Sequence, residues 1–223
     1  MAAGAAHELN NPLSVISGRA QLLAKSETDA EKKRILEQIK QNADELSTII
    51  DDLMGYASPE KPRPTQTAIR QIIDEAIDLA SRKTRTDRAD MRIDIEPDTP
   101  DVVVDSAQIA CAISNIICNG IESYEQGAPD KDIRGKAGSI VIKAGADKTH
   151  ETVSMQVTDS GCGMDEQTLF RATQPFFSSR PAGRKRGMGL AHAQRLIEIN
   201  NGKLEIASQP GKGTTVTVKL PCK

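Results

Sequence analysis

His7-Glu8-Leu9-Asn10-Asn11-Pro12 places a histidine beside an acid, with an amide four residues on. In an α-helix residues i and i+4 share a face, so Asn11 sits one turn from His7 and Glu8 flanks both. The apolar residues Leu9, Leu13, Ile16, Ala20 and Leu23 step by four, three, four and three, a heptad stripe. His7 lies about 200° round the helix from Leu9 at about 100° per residue, which predicts that it points away from the seam. An imidazole offered to solvent on a rigid helix is suited to act as a nucleophile or proton acceptor near neutral pH. A surface histidine by itself more often carries no chemistry, and the rest of the chain has to decide.

Working outward, the pattern predicts a first helix from Ala3 to Ala24. Pro12 inside it removes the donor that would reach the Glu8 carbonyl, which predicts a kink beside the histidine. Thr28 followed by Glu31 has capping-box spacing and would start a second helix. That helix carries Leu36, Ile39, Ala43, Leu46, Ile50, Leu53 and Ala57, with Ile35, Ile49 and Tyr56 widening the stripe. Two helices cannot bury so broad an apolar face between themselves. A hairpin pairing with its twin into a four-helix bundle solves this, and packing on the following domain is the alternative.

Residues 59–65 read as a linker, with Pro59, Pro62 and Pro64 holding the chain extended. Residues 1–58 and 66–223 are therefore expected to be separate domains. In the second, Ile69, Ile72, Ile73, Ala76 and Ile77 define an amphipathic helix. A strand is expected over Met91–Ile95, leading to Asp101-Val-Val-Val104, with Asp105 capping a helix from Ser106 to Ser123. Residues 125–138 read as a loop. Ile140/Ile142/Ala144 and Val153/Met155/Val157 alternate with polar residues, two half-buried strands turning near Asp147. Residues 164–186 show little periodicity and read as a mobile segment. Gly187-Met-Gly-Leu190 opens a helix that ends near Asn201-Gly202, and Leu204/Ile206 with Val216/Val218/Leu220 form a closing hairpin. The class is α+β, a helical hairpin followed by an α/β sandwich with helices on one face of one sheet.

Composition excludes several functions. Among 223 residues, Lys+Arg 29 against Asp+Glu 31 leaves a formal charge of -2, with no general basic field for nucleic acid. Aromatics are 2%, so the core is aliphatic. Cys111, Cys118, Cys162 and Cys222 form no CxxC pair, against a zinc site, and Cys111 and Cys118, seven apart on one helix, read as buried thiols of a reducing cytosol. No apolar run spans a bilayer and no signal peptide is visible, so a cytoplasmic fragment without membrane contact is expected. The six residues before His7 suggest a missing upstream region, through which a longer protein would be membrane-anchored.

Four features of the second domain bear on chemistry. Asn115 and Asn119 lie one turn apart, and an amide oxygen is a hard neutral ligand suited to Mg²⁺ carrying phosphates. Asp159 at a strand end would accept from an exocyclic amine, while Gly161 and Gly163 let backbone approach a flat ring. Gly187 and Gly189 open a helix whose N-terminal amides suit phosphate oxygens. Gly211, Gly213 and Thr214 shape the last turn or simply close a hairpin. Walker A and eukaryotic-type kinase motifs are absent.

Taken in order, these residues resemble the sensor histidine kinases of two-component signalling. His7-Glu8-Leu9-Asn10-Asn11-Pro12-Leu13 resembles the phosphoacceptor box and Asn115-Ile-Ile-Cys-Asn119 the N box. Asp159-Ser-Gly-Cys-Gly163 resembles the first glycine box and Pro175-Phe176-Phe177 the F box. Gly187-Met-Gly-Leu190 and Gly211-Lys-Gly-Thr214-Thr215 resemble the later glycine boxes. The match runs from Ala3 to Pro221.

The resemblance implies a homodimeric hairpin carrying His7 and an ATP-binding domain of the type shared with gyrase and heat-shock chaperones. It implies that His7 attacks the γ-phosphate of ATP, with Glu8 holding the imidazole and helping to take its proton. Asn119 would bind Mg²⁺, Asn115 would support the phosphates, and Asp159 would read the adenine amine with Thr214 nearby. Gly161, Gly163, Gly187, Met188, Gly189 and Leu190 would complete the nucleotide site. The phosphoryl group would pass to an aspartate of a response-regulator receiver domain, and Asn11 would either position a water for hydrolysis of the regulator's phosphoryl group or only bond backbone beside the Pro12 kink. The chain departs from the family's pattern in two places. Lys185 and Arg186 stand where the lid usually carries glycine and threonine, and with Arg180 would clamp the triphosphate or form a solvated run. Glu122 and Ser123 replace a common basic residue and aromatic.

Rival readings are an ATPase of the same nucleotide fold, an anti-sigma-type serine kinase, and a catalytically silent ATP-binding dimerisation module. Asn115 stands where the ATPase needs a glutamate base, and an amide cannot take a proton. The serine kinase would have no use for the His7 hairpin.

Overall fold

The computed structural model describes residues 2–84, 90–124, 139–147, 151–179 and 187–222, with the side chains of residues 2–7 and 90 outside the description. Internal contacts divide the chain into two units, residues 1–60 and 61–223.

The first unit is two helices, α1 (Ala2–Ser26) and α2 (Ala30–Ala57), packed on one another. The α1 backbone stays helical through Pro12. The start of α2 corrects the sequence reading. Asp29, rather than Thr28, is the cap, and its carboxylate accepts from the Glu31 and Lys32 amides at 2.9 and 3.2 Å. Glu27 takes the Thr28 and Asp29 amides at 2.9 Å each, so two acids share the turn's donors and the Thr28 hydroxyl is not needed. Among the described side chains, the seam between the helices buries Ala20, Ala24 and Ala43. Polar bonds flank it: Asn10 to Asp51 at 2.8 Å, and Ser17 to Asp44 at 2.6 Å. Small residues let the backbones approach. The larger members of the predicted stripe, including Leu9, Ile16, Leu23, Ile39, Leu46 and Leu53, stay exposed.

The second unit has two layers. A five-stranded sheet runs in the order β2 (Asp90–Ile95), β4 (Ser139–Ala146), β5 (Thr152–Asp159), β7 (Gly213–Pro221), β6 (Lys203–Gln209). β2 pairs parallel with β4 and the remaining pairs are antiparallel. Register aligns Ile93, Ile142, Val157, Val216 and Ile206 across the sheet, and Ile95, Ala144, Met155, Val218 and Leu204 in the next apolar row. The intervening residues face the other way and are mostly polar, as in the Thr158–Thr215 hydroxyl pair at 3.1 Å. Helices α3 (Ile69–Thr84), α4 (Ser106–Ser123) and α6 (Gly189–Ile199) pack together on the apolar rows, α4 between the other two.

The α4 helix is apolar almost all round because it lies in the middle. Ile109, Ile113, Ile116 and Ile117 are each at most 2% exposed. Asp105 caps it as its position predicts, accepting from the Gln108 amide at 3.1 Å.

Two elements escaped the sequence reading. A three-residue strand, β1 (Thr65–Thr67), pairs with β3 (Val102–Val104) in a small ladder; three residues are too few for periodicity to register. A six-residue helix, α5 (Glu166–Arg171), stands inside the segment read as mobile and is capped by Asp165 through the Thr168 amide at 2.8 Å. It buries none of its residues, so no amphipathic pattern announced it. The loop expected over 125–138 and the cations Arg180, Lys185 and Arg186 lie outside the described residues.

Candidate functional site

The site of the second unit is organised along α4. At the helix's C-terminal end, Ser123 donates to Oδ1 of Asp159 at 3.1 Å, and the Gly161 amide donates to the same oxygen at 2.9 Å. Asp159 ends β5 and is 7% exposed. Burial pushes its carboxyl above the usual range, against the opposing pull of the Gly161, Ser123 and Thr214 donors. Three stretches of backbone draw in around this carboxylate. A Cβ on Gly161 would collide with the Ser123 hydroxyl, and one on Gly213 (φ 83°) with the Asp159 carbonyl. At Gly120 a Cβ would stand 2.8 Å from Cδ1 of Ile140 and 3.4 Å from Cβ of Asp159.

The loop after Asp159 is fastened to the β6–β7 turn. Gly211 donates to the Cys162 carbonyl at 2.7 Å, and Gly163 presses on the Gln209 carbonyl. Ser208 accepts from the Met164 amide at 2.9 Å, donates to the Gly213 carbonyl at 2.9 Å, and shares a 2.9 Å bond with the Thr214 hydroxyl. Thr214 is also the register partner of Asp159. A buried acid walled by bare backbone accommodates a flat group that carries a hydrogen-bond donor.

Toward the N-terminal side of α4 lie the half-buried Asn119 and Asn115. A Cβ on Gly189 would stand 3.4 Å from Nδ2 of Asn119, so the first residue of α6 abuts that amide. Met188 precedes it, buried at 5%, and supplies no side-chain cap to α6. The first-turn amides of α6 therefore begin beside Asn119 with a positive dipole end and no capping oxygen from Met188. Gly187 (φ 69°) lies against the Phe177 backbone, and the Arg171 guanidinium stacks 4.2 Å from the Phe177 ring centroid. Leu190 packs on the core. Asn115 to Ser123 spans eight residues, about 12 Å at 1.5 Å per residue, comparable in length to a nucleoside triphosphate.

The structure thus groups Asp159, Gly161, Gly163 and Thr214 at one end of α4, and Asn115, Asn119, Met188 and Gly189 along it. The sequence gives no sign of Lys83 and Ser208, and it marks Ser123 only as a departure from the family's pattern, not as a donor to Asp159. Lys83 donates to the Asn115 Oδ1 at 2.8 Å and to the Ser114 Oγ at 3.0 Å. These side chains act across element boundaries, where no sequence spacing connects them. Glu122 is buried at 8%. In the first unit Glu8 and Asn11 are exposed on α1, while the predicted outward direction of His7 falls outside the described side chains.

Comparison with known proteins settles the family. The family described as histidine kinase-, DNA gyrase B- and HSP90-like ATPase matches residues 104–223, and the His Kinase A (phospho-acceptor) domain matches residues 1–62. The chain belongs to the sensor histidine kinases. Among this kinase's relatives, Sporulation kinase E of Bacillus subtilis (strain 168) is 28% identical over 224 residues, covering 100% of this chain and 28% of that protein. Sensor histidine kinase ZraS of Escherichia coli (strain K12) is 28% identical over 222 residues, 99% of this chain and 45% of that protein. Sensory histidine kinase/phosphatase NtrB of Vibrio alginolyticus is 30% identical over 230 residues, 98% of this chain and 61% of that protein. The kinase sequence therefore spans between about a quarter and three fifths of these relatives' lengths. Its fold is similar to that of full-length ShkA solved with AMPPNP, with a TM-score of 0.75 at 19% identity over 99% of this chain and 45% of that one. Histidine kinase AdeS of Acinetobacter baumannii gives 0.60 at 17% identity, covering 97% of this chain and 98% of that one. No described helix is long and apolar enough to cross a membrane.

Proposed function

We propose that this kinase autophosphorylates His7 from ATP and passes the phosphoryl group to an aspartate of a response-regulator receiver domain. The buried Asp159 carboxylate, enclosed by Gly120, Gly161 and Gly213, carries the nucleotide part of this reading. Its Oδ1 is engaged by two protein donors, so the group is held ready to accept another donor, such as the exocyclic amine of adenine. Gly161 and Gly163 leave room for the ring, and Thr214 lies beside the acid. The phosphates would fall along α4 toward Asn115, Asn119 and the backbone amides of 187–190 at the start of α6. Arg180, Lys185 and Arg186 would supply positive charge to the triphosphate.

Asn119 would hold Mg²⁺ through its neutral amide oxygen, and the ion would supply positive charge for the phosphates. Residues 1–58 would serve as the phosphoacceptor and dimerisation hairpin, 59–65 as linker and 66–223 as the catalytic domain. Glu8 would orient the His7 imidazole and draw off its proton. The exposed Leu9, Ile16, Leu23, Ile39, Leu46 and Leu53 support pairing with a second copy, because a soluble helix pair seldom leaves such a stripe in water. The NtrB relative is named a phosphatase as well as a kinase. This favours a second activity in which exposed Asn11 holds a water against the regulator's phosphoryl group.

Labelling with γ-labelled ATP and Mg²⁺ tests the reading. Label should enter the wild-type chain and fall at least about a hundredfold in Asn119→Ala, as expected when a preorganised charge-stabilising contact is removed. Equal labelling of the two proteins would remove Asn119 from the site.

A further inference from the structure

We infer that Lys83 is a positioning residue of the phosphate end of the site, fixing which way Asn115 presents its amide and adding positive charge there. This rests on the nucleotide reading above. Lys83 lies in the last turn of α3 and reaches α4, where its ammonium donates to the Ser114 Oγ at 3.0 Å and the Asn115 Oδ1 at 2.8 Å. Ser114 is fully buried, so the lysine is anchored on an immobile hydroxyl although its stem is exposed. Holding a lysine in one geometry costs rotamer entropy, which two simultaneous hydrogen bonds offset.

The consequence for Asn115 is chemical. A carboxamide has an acceptor end and a donor end, and an ammonium can bond only to the acceptor. With Oδ1 turned to Lys83, the –NH₂ is the end left for a ligand. Asn115 then meets phosphate oxygen as a donor. It does not meet a metal as an oxygen ligand, because an ammonium 2.8 Å from that oxygen repels a divalent cation. The two asparagines, identical in the sequence, become different tools, Asn119 offered to Mg²⁺ and Asn115 to phosphate. Lys83 also brings a charge to a helix that, two turns on, carries the buried Glu122 instead of a cation.

Titration of the full chain with AMP, ADP and ATP, each with Mg²⁺, tests the inference through the difference between nucleotides. Lys83→Met should weaken ATP binding about tenfold, the value of one charge-assisted bond, and change AMP less than about twofold. Lys83→Arg keeps the charge and donor and should recover most of the ATP affinity. Asn115→Asp exchanges the donor end for oxygen and should weaken ATP at least as much as Lys83→Met, although its pairing with Lys83 improves. Equal losses for AMP and ATP in Lys83→Met would assign Lys83 a purely structural role and overturn the inference. Unchanged ATP affinity in Lys83→Met, or Mg²⁺-dependent ATP binding preserved in Asn115→Asp, would do the same. A wild-type chain that binds none of the three would instead remove the nucleotide reading itself.

Discussion

The two units bury their apolar residues in opposite ways. Residues 61–223 enclose an aliphatic core, with Ile72, Ile73, Ile109, Ile113, Ile117, Ile140 and Ile142 at 0% exposure. The described side chains of the hairpin bury three alanines, while Leu22, Leu23 and Leu46 remain 50–68% exposed. One unit satisfies its hydrophobic pattern internally. The other has a pattern wider than its own partner helix can cover, and so needs a further surface for stability. The same distinction separates the residues proposed for chemistry: a buried, geometrically fixed acid at Asp159, and the exposed Glu8 and Asn11 on a helix face. Recognition of a small ligand needs enclosure, whereas a group that must meet a second protein needs access.

Separating the units should break this comparison most sharply. A chain ending at Pro64 should be a helical dimer that dissociates on dilution. One starting at Thr65 should melt at a temperature independent of concentration and sediment as a monomer. A concentration-independent hairpin would mean that its exposed stripe needs no partner.

At the level of single side chains, Ile117→Ala should cost the second unit about 2–5 kcal/mol in denaturant unfolding, because it leaves a cavity in a close-packed interior. Leu46→Ala should cost the separate hairpin within about 0.5 kcal/mol below its dimerisation concentration, where the side chain is already in water. Above that concentration the same change should weaken association. Comparable costs for the two substitutions at low concentration would erase the distinction.

The smallest effect is in pH. Hydrogen bonds from Lys40 and Ser17 hold Asp44 of the hairpin below the usual carboxylate range. Its contribution is present above the unfolded pKa and is lost as pH falls through the lower folded value. Burial raises Asp159, so its ionisation works the other way: stability declines as pH rises from the unfolded pKa through the higher folded one. Asp44→Asn should flatten the acid side of the hairpin's stability profile, and Asp159→Asn should remove a fall toward neutral pH in the other unit. Adenine-dependent affinity should show the inverse trend, strengthening as Asp159 ionises. Profiles unchanged by both substitutions would deny either carboxylate a perturbed environment.

Much of this was legible where local chemistry dictates local structure. The Asp105 cap, the α4 boundaries at Ser106 and Ser123, and the alternation of Ile140/Ile142 with Val153/Met155/Val157 all follow from periodicity and capping. The cap at Asp29 was misread because Thr28 and Asp29 both suit the position, and what selects between them is the Glu27 carboxylate satisfying the preceding amides. α5 has no buried face to leave a periodic trace. Of the candidate site, the residues proposed to face the nucleotide carry recognisable order. Those that hold them do not: Lys83 on Asn115, Ser123 on Asp159 and Ser208 beneath Thr214 meet their partners across 32, 36 and 6 positions, and only the fold joins them.

The central claim is that the exposed helix of one unit receives a phosphoryl group from the enclosed site of the other. It is tested most directly by the chemical stability of the bound label in the full chain and in His7→Gln. A phosphoramidate loses its phosphoryl group once its nitrogen is protonated, so the account predicts label that survives base and is lost in acid. It also predicts none in His7→Gln, while ATP binding persists there. Acid-stable label, or full labelling of His7→Gln, would contradict it.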